Sequence, residues 1–122
     1  PKKSKIIIWA EAIKIEEGWF WGSRSQRNNS PGNLKYSNLT ATLGAYLKDK
    51  DNFAIFRSEE AGFNALCSFL VMACENRLKP YKNVSLKQFS QIYANPPKGS
   101  KYAENVAKKL NVSIDVPIRE LV

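Results

Sequence analysis

One carboxylate, Glu17, sits where an apolar helical stripe runs out. Ile6, Ala10, Ile13 and Glu17 recur at offsets of four, three and four, the face of a 3.6-residue helix. A carboxyl on such a stripe is desolvated, which raises its pKa, so it can hold a proton near neutral pH and act as a general acid. The same position also suits a frayed helix end whose carboxylate reaches water, and periodicity leaves both readings open. Gly18 follows, then Trp19, Phe20 and Trp21, whose flat faces match the apolar faces of sugar rings.

A second chemical cluster is the run Arg27-Asn28-Asn29-Ser30-Pro31-Gly32-Asn33. Side-chain amides donate and accept at once, as hydroxyl and N-acetyl groups require. The plainer reading is an Asn-rich turn whose side chains cap their own backbone. Pro31-Gly32 predicts a type II turn, with glycine supplying the positive φ.

Composition narrows the chemistry. The chain has 122 residues, no His and two Cys, so Ser-His and Cys-His nucleophiles, His-ligated zinc and a four-thiolate zinc site are all excluded. Neither a metal nor a cofactor is expected. Cys67 and Cys74 lie two helical turns apart, about 10 Å, too far for a mutual disulfide, and read as small buried core side chains. A hydrophobic content of 43% supports a packed core and argues against disorder. The apolar stretch 65–74 is too short to span a bilayer, and no signal peptide is visible. The chain starts at Pro1 without Met and reads as one domain, 1–122, cut from something longer.

These candidates need elements to position them. Apolar spacing predicts a first helix over 5–19, contacted from two sides and ended by Gly18 and Gly22. A polar loop over 22–36 leads to two short strands, 39–47 and 52–56, around Lys48-Asp49-Lys50-Asp51. Ser58 caps a central, nearly all-apolar helix from Glu60 to about residue 78, the element expected to be most buried. Pro80 and Asn83 mark a turn, and Ser85-Leu86-Lys87-Gln88 is a capping box opening a helix to about residue 94. Asn95-Pro96-Pro97-Lys98-Gly99 breaks the chain, Ser100 caps a last helix to about residue 110, and Asp115 with Pro117 starts a terminal turn. The fold class is therefore α+β, mostly α, with a small β-hairpin after the first helix.

Glu17-Gly18-Trp19, Ser25 and Arg27-Asn28-Asn29-Ser30-Pro31-Gly32-Asn33-Leu34 together resemble the lysozyme-like domains of phages and bacteria with an E-G-[WF]…R-N-N-N-P-G-N-[LI] signature. The likeness continues through Phe53-Ala54-Ile55-Phe56, Ser58-Glu59-Glu60-Ala61-Gly62, Ser85-Leu86, Ile92-Tyr93-Ala94 and Tyr102, from about residue 13 to 121, nearly the whole chain. Such domains are similar to soluble lytic transglycosylases and goose-type lysozymes, in which a catalytic Glu ends a helix. The resemblance implies a lysozyme-like helical fold, Glu17 as catalytic acid and Tyr93 as the family's later tyrosine. Trp19, Trp21, Ser25, Arg27, Asn28, Asn29, Asn33, Glu60 and Tyr93 make up the candidate substrate-binding set, with Trp21 and Tyr93 expected to stack on sugar and Asn29 and Asn33 to brace the turn that shapes the site. Ser30 stands where the family has Asn, and Ala94-Asn95-Pro96 only loosely echoes the transglycosylase Tyr-Asn pattern.

The implied reaction cleaves the β-1,4 bond between N-acetylmuramic acid and N-acetylglucosamine. It needs one acid if the muramoyl 6-hydroxyl attacks, and usually two if water does. Asp49, Asp51 and Glu60 are the candidates for a second acid, but they read more readily as a hairpin tip and a helix-start acid, so a lyase is preferred over a hydrolase. The formal charge of +8 suits a polyanion such as peptidoglycan strands at the bacterial cell wall. Two rivals stand beside this reading: a non-catalytic wall-binding or virion module, and, disfavoured for want of a motif, a basic nucleic-acid-binding domain. A monomer is expected.

Overall fold

The computed structural model describes residues 4–94 and 99–122. Among them are six α-helices and one two-stranded antiparallel sheet: α1 (Lys5–Glu16), α2 (Arg24–Arg27), α3 (Asn38–Thr42), β1 (Leu47–Lys48), β2 (Ala54–Ile55), α4 (Glu59–Cys74), α5 (Leu86–Ala94) and α6 (Gly99–Leu110). Register pairs Leu47 with Ile55 and Lys48 with Ala54. Two compact units emerge, Ile13–Phe69 and Pro1–Ala12 with Leu70–Val122, with boundaries inside α1 and α4.

In the unit Ile13–Phe69, α1 ends on a Schellman closure: the Trp19 amide donates to the Lys14 carbonyl (3.2 Å) and the Gly18 amide to Ile15 (3.0 Å). Gly18 takes φ 77°, which a side chain would resist. The helix therefore stops at Glu16, short of the expected residue 19. The expected first strand, 39–47, is also corrected. Ser37 and Thr40 cap each other reciprocally, Ser37 Oγ accepting from the Thr40 amide (3.2 Å) and Thr40 Oγ1 from the Ser37 amide (2.8 Å). This capping box turns residues 38–42 into α3, overriding β-branched propensity, and the strand begins only at Leu47. The hairpin thus follows α2 and α3 rather than α1 directly. Ser58 does cap α4, its Oγ accepting from the Ala61 amide at 3.0 Å.

In the other unit, the Ser85–Gln88 capping box forms as expected (2.8 and 3.1 Å) and opens α5. Phe89 is fully buried against Trp9 (4.9 Å, edge-on), Tyr81 (4.6 Å) and Tyr93 (5.3 Å, stacked), while Tyr102 of α6 lies 6.4 Å from Tyr93. Ser85 bridges Pro117, and a terminal 3-10 turn, Ile118–Leu121, closes the chain. The central helix stops at Cys74 and not near residue 78, because Asn76 (φ 59°) lets the Arg77 amide reach back to Met72 (3.0 Å). α6 already includes Gly99, so Ser100 lies within it and is not its cap; the break at 95–98 falls outside the described residues.

Burial follows the predicted faces in part. Ile6, Ala10 and Ile13 are buried, as are Ala65, Leu66, Leu70 and Ala73 of α4. The second apolar side of α1, Ile8, Ala12, Ile15 and Trp19, is covered only partly, since Ile15 is 57% exposed; the largest buried side chain, Trp9, lies on neither stripe. Cys74 is buried but Cys67 only half-buried, and neither forms a disulfide. No helix among the described residues is long and apolar enough to cross a membrane.

Candidate active site

Glu17 is the cap residue of α1, half-buried, its amide donating to the Ile13 carbonyl at 2.8 Å. The Schellman closure around it fixes the backbone on both sides. One turn earlier, Lys14 binds Glu59 Oε2 (2.5 Å) in the first turn of α4 and lies 4.7 Å over the Trp19 ring. Trp19 is thereby pinned against α1 by a cation–π contact where a Schellman motif ordinarily places an apolar one.

The next four residues make a type II turn. The Ser23 amide donates to the Phe20 carbonyl (3.0 Å) and Gly22 supplies φ 83°. Ser23 Oγ accepts from the Phe20 amide (3.3 Å) and Gln26 Oε1 from the Gly22 amide (3.1 Å). A braced turn therefore holds Trp21 at its tip, 90% exposed, beside a 66% exposed Phe20.

The Asn-rich run is mostly committed to shape. Asn29, at φ 53°, ends α2 in a second Schellman closure, with the Ser30 amide donating to Ser25 (2.9 Å) and the Asn29 amide to Gln26 (3.2 Å). The Phe56 amide donates to the Asn28 carbonyl (2.9 Å), and Asn29 Nδ2 donates to the Phe56 carbonyl (3.0 Å), so consecutive asparagines clamp both polar groups of Phe56. Ser30 Oγ accepts from the Leu34 amide (3.2 Å). The Asn33 amide closes the Pro31-Gly32 turn onto Ser30 (2.8 Å), but the positive φ falls on Asn33 (50°) rather than Gly32, so the turn is not type II. Asn33 Oδ1 is buried with no hydrogen-bond partner.

Asn28 Nδ2 also donates to Asp49 Oδ2 at the hairpin tip (2.9 Å). The other Asp49 oxygen accepts from the amides of Asp51 and Phe53, each 2.9 Å. Desolvation pushes the Asp49 pKa up, but the Asn28 hydrogen bond, the two amides and the Arg24 charge outweigh it and hold the carboxyl below its ordinary value. Arg24 bonds Asp51 (2.6 Å) and stacks on Phe53 (4.3 Å), with Lys35 3.9 Å from the same ring.

No protein-family model, curated protein or solved structure matches this chain. The end of α1 and the Asn-rich loop both reach the first turn of α4, one through Lys14–Glu59, the other where Asn29 meets Gly62. Of the candidate binding residues, Ser25 and Asn28 are buried, Asn29 and Asn33 half-buried, and Arg27 and Glu60 exposed. Tyr93 belongs to the other compact unit, stacked on Phe89. Sequence reasoning missed Arg24 and Gly62 as the residues that tie this loop to the hairpin and to α4. The signal for the first was the Asp-Lys-Asp-Asn tip, a composition that folds back on its own amides. No group of three or more His, Cys, Asp or Glu that could hold a metal occurs among the described residues.

Proposed function

We propose that this chain cleaves the β-1,4 bond between N-acetylmuramic acid and N-acetylglucosamine in peptidoglycan, with Glu17 as the proton donor. The observation that carries the reading is the placement of Glu17: half-buried, on a backbone closed from both sides, four residues before a rigidly presented Trp21. The resemblance of Glu17-Gly18-Trp19 and of residues 27–34 to lysozyme-like domains supports it. Protonated Glu17 gives its proton to the glycosidic oxygen as the bond from C1 breaks. The muramoyl 6-hydroxyl oxygen then bonds C1 and passes its proton to the Glu17 carboxylate, restoring the acid and leaving a 1,6-anhydro ring.

A lyase fits better than a hydrolase. Asp49 is engaged by Asn28, Arg24 and two amides, Asp51 is held by Arg24, and Glu60 is exposed at the start of α4. The two aspartates are thereby occupied in the hairpin rather than left to activate water. Asn28 and Asn29 act in this reading by shaping the loop, while Trp21 offers a sugar-stacking face. Mass spectrometry of products from purified peptidoglycan tests the proposal. An anhydro muropeptide, one water lighter than the hydrolytic product, is expected; no released muropeptide from any wall preparation rejects it.

A further inference from the structure

The positive charge is not spread evenly. The unit Pro1–Ala12 with Leu70–Val122 carries twelve Lys and Arg against five acids, and Ile13–Phe69 seven against six, so +7 of the +8 resides in the former. The two sets of cations also differ in what they do. Five of the seven in Ile13–Phe69 are engaged within it: Lys14 and Arg24 with carboxylates, and Lys35, Lys48 and Arg57 over aromatic rings. In the basic unit every described Lys and Arg is exposed, and among the described residues only Arg77 has a carboxylate partner, Glu75 at 3.3 Å. Exposed like charges on one small unit repel one another and cost stability, an arrangement that a bound polyanion relieves.

The surface has structure. Lys79, Lys82 and Lys87 flank a segment whose backbone is stitched to 114–118: the Ile118 amide donates to the Val84 carbonyl (3.1 Å), and the Leu86 and Lys87 amides donate to Val116 and Ile114 (2.8 Å each), with exposed Arg119 next in the chain after Ile118. Lys101 and Lys108 lie seven residues apart on the exposed face of α6, with Lys109 adjacent.

We propose that this unit docks onto a flexible phosphodiester polymer of the cell wall, separately from the site around Glu17. The choice of a wall polymer rests on the reading of the chain as a wall enzyme; the choice of a flexible, base-free polyanion rests on the unit itself. Its cations are ten lysines and two arginines, point charges rather than bidentate forks. Four of its five aromatic residues, Trp9, Tyr81, Phe89 and Tyr102, are buried, and Tyr93 is stacked on Phe89, which leaves no platform for nucleobases. Glu104 sits between Lys101 and Lys108 on the α6 face, and Asp115 and Glu120 flank Arg119. Interspersed acids oppose the dense charge of a duplex, one per roughly 1.7 Å, more than widely spaced phosphates.

The test is binding of the full chain to purified poly(glycerol phosphate), measured against salt, for the wild type and for a Lys79→Gln, Lys82→Gln, Lys87→Gln, Arg119→Gln variant whose circular dichroism matches wild type. Wild type should bind with a steep salt dependence, and the variant should lose at least tenfold in affinity, with the log–log slope falling by about 3, near 0.7 per contact removed. Glu17→Gln should bind the polymer like wild type. Because this readout needs no glycan cleavage, it stands or falls apart from the catalytic proposal. Equal binding by wild type and the fourfold variant overturns the docking surface. So does tighter binding of duplex DNA than of the polymer at equal salt, and so does loss of polymer binding in Glu17→Gln.

Discussion

A β-carbon built on Gly62 falls 1.8 Å from the carbonyl oxygen of Asn29, closer than any side chain can approach backbone. The first turn of α4 is thus seated directly on the Asn-rich loop, at Asn29 and Pro31. Gly62→Ala must push the loop or the helix aside, and because the opposing atom belongs to the backbone it cannot simply rotate away. Overpacking of this kind costs about 1–3 kcal/mol. The urea midpoint should fall accordingly; an unchanged midpoint would show that the loop yields freely.

Asp49 gives the chain an acid-sensitive joint between hairpin and loop. Its carboxyl is held below the ordinary value of 3.8 despite desolvation, by hydrogen bonds from Asn28, Phe53 and Asp51 and the charge of Arg24. A depressed folded pKa means that the stabilisation is complete above the ordinary value and disappears as the pH falls through the folded one. Stability of wild type should therefore decline on acidification below about pH 4, and Asp49→Asn should show a flatter acid limb from a lower neutral-pH plateau. Denaturation midpoints measured from pH 7 to pH 2 check this, and parallel limbs in the two proteins would rule the joint out.

How much of this was readable beforehand depended on whether the deciding contact was local. The Ser85–Gln88 box, the Ser58 cap and the Gly18 stop were legible because each acts within a few residues. Residues 39–47 misled because β-branched Thr40 and Thr42 look like strand formers, while the Ser37–Thr40 capping box made a helix. Asn29 could be read as a bracing turn residue. That its side chain would brace Phe56, 27 positions away, could not, since such a partner is chosen by tertiary packing. The candidate acid was legible as a position at a helix end, whereas the exposure of Trp21 followed from a turn braced by Ser23 and Gln26.

The two cysteines should differ in reactivity. Burial, with the Glu75 charge adding to it, pushes the Cys74 thiol up to about 12, so at neutral pH it has almost no thiolate. Cys67 is half-buried and the more accessible. Iodoacetamide at pH 8 with peptide mapping should label Cys67 first, and Cys74 only on unfolding. Preferential labelling of Cys74 in the folded protein would contradict the burial.

Trp21 is the cleanest probe of sugar binding because it supports so little of the fold. At 90% exposure its removal should alter stability by less than about 0.5 kcal/mol. If it stacks on glycan, Trp21→Ala should weaken binding by about 1 kcal/mol, roughly fivefold, with KM rising and kcat nearly unchanged. Unaltered KM for glycan would remove Trp21 from the site.

Glu17→Gln is the decisive substitution. Glutamine keeps the shape and hydrogen bonding of the side chain at the end of α1 but has no proton to give. Folding and glycan binding should persist while turnover falls about 10²–10⁴-fold, the usual contribution of a positioned general acid. Glu16→Gln is the matched control: it makes the same substitution at the adjacent residue, about 100° around the helix, and should leave turnover within a few-fold of wild type. An equal loss in both variants would point to the summed charge at this helix end rather than to a placed acid. A loss confined to Glu17, with anhydro products from the wild type, would assign the proton to that residue and the attacking oxygen to the sugar itself.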